Sequence, residues 1–480
     1  MEPSLFKRSR RLASLVAAIL FLSCSVTSLA QTAPAPSTVC KECLQKDVTY
    51  LASDELRGRG SATPDELTAA NYIAGVFKKL GLEPPAGGNY ILPVALELGK
   101  FTAPPKLKFT TNGKETVWTH GNEMLSPHLF RPELKGKLVH AKADPAAATT
   151  IPEGAVVVIA DEIPDKETRK VLMPFFSSKA VAVIFRAAGP YLHNWDRFAS
   201  EPAELPAKVE GEPSDRNRVA MIAVKANLIS ALAQAPDGTE ISISGPTADA
   251  NQQTRNVVGI LRGSDPKLKD EYVMFSAHMD HLGVCGKTGD TICNGADDDA
   301  SGTATVLELA RIFSSGPRPK RSVVFTTYGS EELGLLGSRG FAAKPPVPLT
   351  DIAADIEFEQ TGLPESKVGG NGFWMTGSSF SDLGSLLTQH GSKLADDPFP
   401  GSPFFRQSDN YSLAAKGVVA HTMSGAAEFA DYHRPGDEVQ KLNFSFMAQS
   451  IQSVLPGLEW LINTDTRPKY FPGKNPAEKQ

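Results

Sequence analysis

Five short blocks of this chain carry side chains suited to binding divalent metals. They are Ser276-Ala-His278-Met-Asp280-His281, Gly295-Ala-Asp297-Asp298-Asp299-Ala-Ser-Gly302, Gly329-Ser-Glu331-Glu332-Leu-Gly334, Phe358-Glu359-Gln360-Thr361-Gly362 and Asp431-Tyr432-His433-Arg-Pro-Gly-Asp437. Two neutral imidazoles and three carboxylates can hold a pair of divalent ions with one carboxylate shared. One further acid stays free to move protons, which completes the composition of a co-catalytic hydrolase.

Each block has its own logic. A ligating imidazole needs its second nitrogen held, and Asp280, two residues after His278, can do this. His281 has no assigned task and reads as a pocket-wall or hydrogen-bonded histidine. The Asp297-Asp298-Asp299 run also offers Asp299, Ser301, Gly302 and Glu308 at EF-hand-like positions, but a calcium loop needs a preceding helix. A Gly/Thr/Cys loop stands there instead. Glu331 and Glu332 follow a strand, and extended neighbours point to opposite sides, so one can ligate while the other faces a bound water. Asp437 can orient His433 as Asp280 orients His278.

The elements around these blocks alternate strand, loop and helix from Thr254 onward. Strands are expected over 272–276, 322–327, 352–358 and 417–422, with helices over 303–313 and 444–462. The blocks fall just beyond strand ends, where open parallel α/β sheets form their sites. The stretch from Leu44 to Leu80 has helical spacing and a stop at Gly81. From about 100 to 245, short β-like runs alternate with Pro, Gly and Asp and carry none of the chemical blocks. An α/β fold is therefore expected, a mostly parallel central sheet flanked by helices, with an inserted smaller β-rich domain.

The N-terminus reads as a secretory signal over residues 1–30. Lys7, Arg8, Arg10 and Arg11 precede the apolar run Leu12 to Leu22, and Ser28-Leu29-Ala30 is a small-residue cleavage site. The run is short for a membrane span, and the residues before Cys24 make a poor lipid-attachment box, so a secreted or periplasmic protein is expected over a lipid-anchored one. Four cysteines then remain, Cys40, Cys43, Cys285 and Cys293. An even count in an exported chain favours disulfides, with Cys285 and Cys293 bracketing a loop beside the ligand blocks. Local pairing or free thiols suit the Cys40/Cys43 pair. A net charge of -5 gives no reason to expect nucleic acid as a partner.

Taken together, the blocks resemble the M28 family of zinc aminopeptidases, over about residues 45–100 and 250–465. The resemblance implies a zinc-exopeptidase fold and two zinc ions per chain. It makes His278, Asp298 and Glu359 the ligands of one zinc and Asp298, Glu332 and His433 those of the other. Asp298 would bridge, Glu331 would be the general acid/base, and Asp280 would support His278. Many members carry Asp where this chain has Glu359, and a cis peptide often follows the bridging Asp, here at Asp298–Asp299. The implied domains are 31–100 and 246–465 for the peptidase, 101–245 for a protease-associated (PA)-like insertion and 466–480 for a tail. The implied reaction is removal of N-terminal residues from peptides by a metal-bound hydroxide. A carboxypeptidase, with Arg406 as carboxylate clamp, or a glutaminyl cyclase on the same fold are alternatives. A non-catalytic receptor-like relative typically loses ligands, and here all five and Glu331 stand in place. Phe373, Trp374, Phe404 and Phe405 are candidates for a hydrophobic pocket.

Overall fold

The strand Tyr272–His278 is buried along its whole length, and everything else in the central layer is arranged around it. The computed structural model describes residues 38–479 except 128, 201–202, 204, 213–217, 287, 371 and 428; the expected leader, 1–30, lies outside the described residues. Tyr272–His278 pairs in parallel with Ser322–Tyr328 on one side and Ile352–Glu359 on the other, and Ala420–Ser424 extends the parallel set. The full sheet has eight strands. Its flanks are antiparallel, through Trp374–Met375 at one edge and Thr247–Leu261 and Ile91–Phe101 toward the other. The sheet is therefore mixed, and the strands that lead to the chemical blocks form its parallel centre.

Alternation along the central strand serves two cores, as strand geometry requires. Val273 and Phe275 join Leu44, Phe77, Leu307 and Ile451 on one face. Tyr272 and Met274 join Phe341 and Leu413 on the other. The first face is covered by the helices Lys41–Leu51, Pro64–Lys79, Gly302–Ser315 and Phe444–Leu461. Pro64–Lys79 shows why such a helix forms. Thr63 caps it by accepting from the N–H groups of Asp65 and Glu66, Pro64 opens it, and Lys78 and Lys79 close its last turn.

The segment between the two longest strands folds on its own second sheet of eight strands. Ile91–Phe101 and Thr247–Leu261 pair from Ile91↔Val257 to Phe101↔Thr247, so chain entry and exit lie side by side. At the centre of this second sheet, Glu133–His140, Val156–Ile159, Ala182–Arg186 and Ala220–Val224 run parallel, with short helices in between. The segment is thus α/β in its middle rather than purely β. It also lends Lys208–Val209 to the edge of the main sheet.

Both cysteine pairs are bonded. Cys40 and Cys43 close a local bridge at the start of the first helix, and Cys285 and Cys293 join a short hairpin, with Cα atoms 5.2 and 5.8 Å apart. Among the described residues no helix is long and apolar enough to cross a membrane.

Candidate metal centre

Parallel strands bring their C-terminal ends to one edge, and the chemical blocks meet there. His278 and Glu359 are the last residues of their strands. The acidic triplet lies in the loop that enters the helix Gly302–Ser315. The three aspartates divide their work. Asp297 Oδ1 accepts from Gly362 N at 2.7 Å. Asp299 accepts from His278 N at 3.3 Å, Gly302 N at 3.0 Å and Gln360 N at 3.0 Å, tying two strand ends to the helix start. Asp298 alone of the three faces the imidazoles, and its peptide bond to Asp299 is cis.

Two convergent donor sets share Asp298. One is His278, Asp298 and Glu359, and the other is His281, Asp298 and Glu332, with the ligand atoms of each set within 4.8 Å of one another. His278 Nε2 lies 3.1 Å from Asp298 Oδ1, and His281 Nδ1 lies 2.7 Å from Glu332 Oε1. Yet His278 Nε2, His281 Nδ1 and Glu332 Oε1 are buried without a hydrogen-bond partner. These atoms approach closely but do not align as donor and acceptor. Lone pairs converging on a common point are what a cation requires, whereas buried polar groups otherwise pair. The residues present therefore fit divalent metal.

His433 enters from the far side. Its Nε2 lies 3.2 Å from Asp298 Oδ2 and 3.2 Å from Glu332 Oε2. The sequence left His281 without a task, but its buried ring reaches the same carboxylate pair. The spacing of three residues from His278 was the one available sign.

Two supporting roles differ from expectation. Asp437 does not orient His433. Its carboxylate accepts from Asp297 N at 2.9 Å and Asp298 N at 3.0 Å, because two adjacent amides turned toward it outcompete a ring on another turn. His278 Nδ1 finds the backbone carbonyl of Asp280 at 3.2 Å, with the Asp280 carboxylate at 3.8 Å. That carboxylate instead accepts from Glu331 N at 3.0 Å and Ser61 Oγ at 2.5 Å. Glu331 and Glu332 are not extended neighbours either. The strand stops at Tyr328, and Ser330 turns the chain with φ 53°.

A cavity of about 680 Å³ opens over the cluster, with Asp298, Glu331, Glu332, Glu359 and His433 in its wall. Trp374, Phe404 and Arg406 line it too, whereas Phe373 and Phe405 belong to the apolar cores. Burial pushes the Glu331 carboxyl well above its ordinary range, opposed by His278 and reinforced by Glu332. Burial and then Glu357 raise Glu359 to about 8. Crowded acids of this kind mark functional sites.

Residues 256–456 match the model of peptidase family M28. The chain is 38% identical over 91 residues to Aminopeptidase YwaD of Bacillus subtilis (strain 168), covering 19% of this chain and 18% of that relative. It is 35% identical over 112 residues to Aminopeptidase NAALADL1 of Rattus norvegicus, covering 22% of this chain and 13% of that relative. The matched segments thus span a minor part of both relatives. Among solved structures, the aminopeptidase from Aneurinibacillus sp. strain AM-1 superposes with a TM-score of 0.54 at 19% identity, over 89% of this chain and 95% of that one. BSAP, a zinc aminopeptidase from Bacillus subtilis, gives 0.51 at 16% identity, over 90% and 97%. These likenesses establish the fold alone, an α/β architecture.

Proposed function

We propose that the chain is an exported aminopeptidase that works with two zinc ions. The observation that supports this reading is the pair of donor sets sharing Asp298 in the wall of one cavity that also holds Glu331. His278, Asp298 and Glu359 would hold one ion. Asp298, Glu332 and His433 would hold the other, since His433 Nε2 is equidistant from both carboxylates, with His281 against the second oxygen of Glu332. When bound, the ions polarise the scissile carbonyl and make water acidic enough to attack near neutral pH. Glu331 takes the proton of the attacking water and passes it to the leaving amine. Its backbone N–H is held by the Asp280 carboxylate, which anchors the main chain from which that carboxyl projects. The acidic wall suits the free amine of a peptide N-terminus. Two disulfides fit an oxidising compartment. The segment 101–245 is proposed as a PA-like insertion that walls the substrate side, as Arg218 in the cavity lining indicates.

One observation favours a second reading. Arg406 lines the same cavity and can clamp a terminal carboxylate, and the chain is 33% identical over 110 residues to a Glutamate carboxypeptidase 2 homolog of Caenorhabditis elegans. Purified protein assayed on aminoacyl substrates, amine-blocked peptides and free-carboxylate peptides separates the two. Cleavage that requires a free amine supports the aminopeptidase, and cleavage that requires only a free carboxylate overturns it. Glu331→Gln should retain zinc and lose turnover by roughly 10²–10⁴-fold.

A further inference from the structure

Arg59 is fully buried behind the metal-binding blocks, and its side chain is spent on backbone carbonyls in and beside them. Its guanidinium donates to four carbonyl oxygens. Nε reaches Met279 O at 2.8 Å, Nη1 reaches Leu51 O at 2.6 Å and Asn294 O at 2.7 Å, and Nη2 reaches Gly295 O at 2.9 Å. The backbone carbonyl of Arg59 accepts from His281 N at 3.2 Å. Met279 adjoins His278, and Gly295 lies three residues before Asp298. One side chain therefore links the end of the first helix, the His278 block and the turn that leads into the acidic triplet.

The local sequence is shaped for this insertion. Gly58 has φ +71°, and a Cβ on it would lie 2.2 Å from Cys293 O, so only glycine lets the turn press against the hairpin. Gly60 bridges to His281 on the other side. A buried guanidinium also needs charge balance. Burial depresses its pKa, and Asp280, Asp437, Asp299 and Asp298 oppose that shift, so the cation lies within the acidic cluster it supports.

We propose that Arg59 is a positioning residue of the metal centre, its planar fork setting the distance between the His278 and Asp298 blocks. The inference rests on the two-zinc reading above. Lysine keeps the charge but, as a single ammonium on a flexible stem, does not reproduce four fixed donor directions. Arg59→Lys and Arg59→Met are therefore compared with the parent for zinc affinity by chelator competition, for melting of the metal-free protein, and for kcat and KM at saturating zinc.

Both variants are expected to bind zinc roughly 10–100-fold more weakly, the range found for partners that orient ligands. At saturating zinc, kcat should fall while KM stays close to the parent value, because Arg59 lies behind the ligands and away from the cavity. Metal-free Arg59→Lys should melt nearer the parent than Arg59→Met does, since it keeps the balancing charge. Should Arg59→Met not fold, Arg59→Lys carries the test. Parental zinc affinity in a folded Arg59→Lys protein overturns the proposal, as does tighter binding in either variant. A parent that binds no zinc defeats the two-zinc reading instead.

Discussion

The Asp280 carboxylate accepts the backbone N–H of Glu331 at 3.0 Å, so a residue from the His278 block holds the main chain of the proposed proton carrier on another loop. Its other oxygen is held by Ser61. Asp280 thereby acts on both reactive blocks without contacting a ligand nitrogen through its carboxylate. Asp280→Ala should leave two zinc ions bound and lower kcat by roughly 10–100-fold, the scale of such orienting partners. KM should change little. Steady-state kinetics with metal analysis checks this, and an unchanged kcat would show that Glu331 is positioned by other contacts.

The Cys285–Cys293 bridge should matter to the rim more than to the domain. It closes a loop of sequence separation 8, and Cys293 O packs directly against Gly58. A loop this short adds roughly 2–3 kcal/mol on the chain-entropy model. The Cys285→Ser/Cys293→Ser double variant should fold with a modestly lower Tm and altered substrate affinity. A variant that fails to fold with zinc present would assign the bridge a global role.

His421 predicts a specific acid sensitivity. It is fully buried on the strand Ala420–Ser424, with Nδ1 against Thr376 O at 2.8 Å and Nε2 against Ser381 Oγ at 2.7 Å. Burial lowers its pKa to about 4 from the ordinary 6.5, partly offset by the Thr376 carbonyl. Between those values the unfolded chain binds a proton that the folded one does not. Stability from this residue is therefore complete above about 6.5 and is lost as pH falls toward about 4. The loss should approach roughly 2–3 kcal/mol at about pH 4.5. Urea unfolding of the parent and His421→Gln at about pH 7 and about pH 4.5 measures it. Equal pH dependence in the two proteins would remove His421 as the cause.

The blocks around His278, Glu331 and Glu359 were readable because each follows a strand of the parallel centre, where a short local pattern reports position. His278 and Glu359 show this directly as strand-terminal residues. What escaped the sequence is contact between distant segments. Asp437 reaches the amides of Asp297 and Asp298, Arg59 reaches Met279 and Gly295, and Lys208–Val209 joins an edge far from it in sequence. No periodicity encodes such pairings. The turn at Ser330 was missed for a related reason, since its positive φ belongs to a residue other than glycine.

In the proposed two-zinc site, Asp298 serves both ions at once. Zinc content of the purified parent and of Asp298→Asn, measured by elemental analysis after dialysis against a weak chelator, tests it most directly. The account predicts two zinc ions per parent chain and loss of both in Asp298→Asn, because each donor set contains Asp298. A parent holding one ion, or an Asp298→Asn protein that retains two tightly bound, would contradict it.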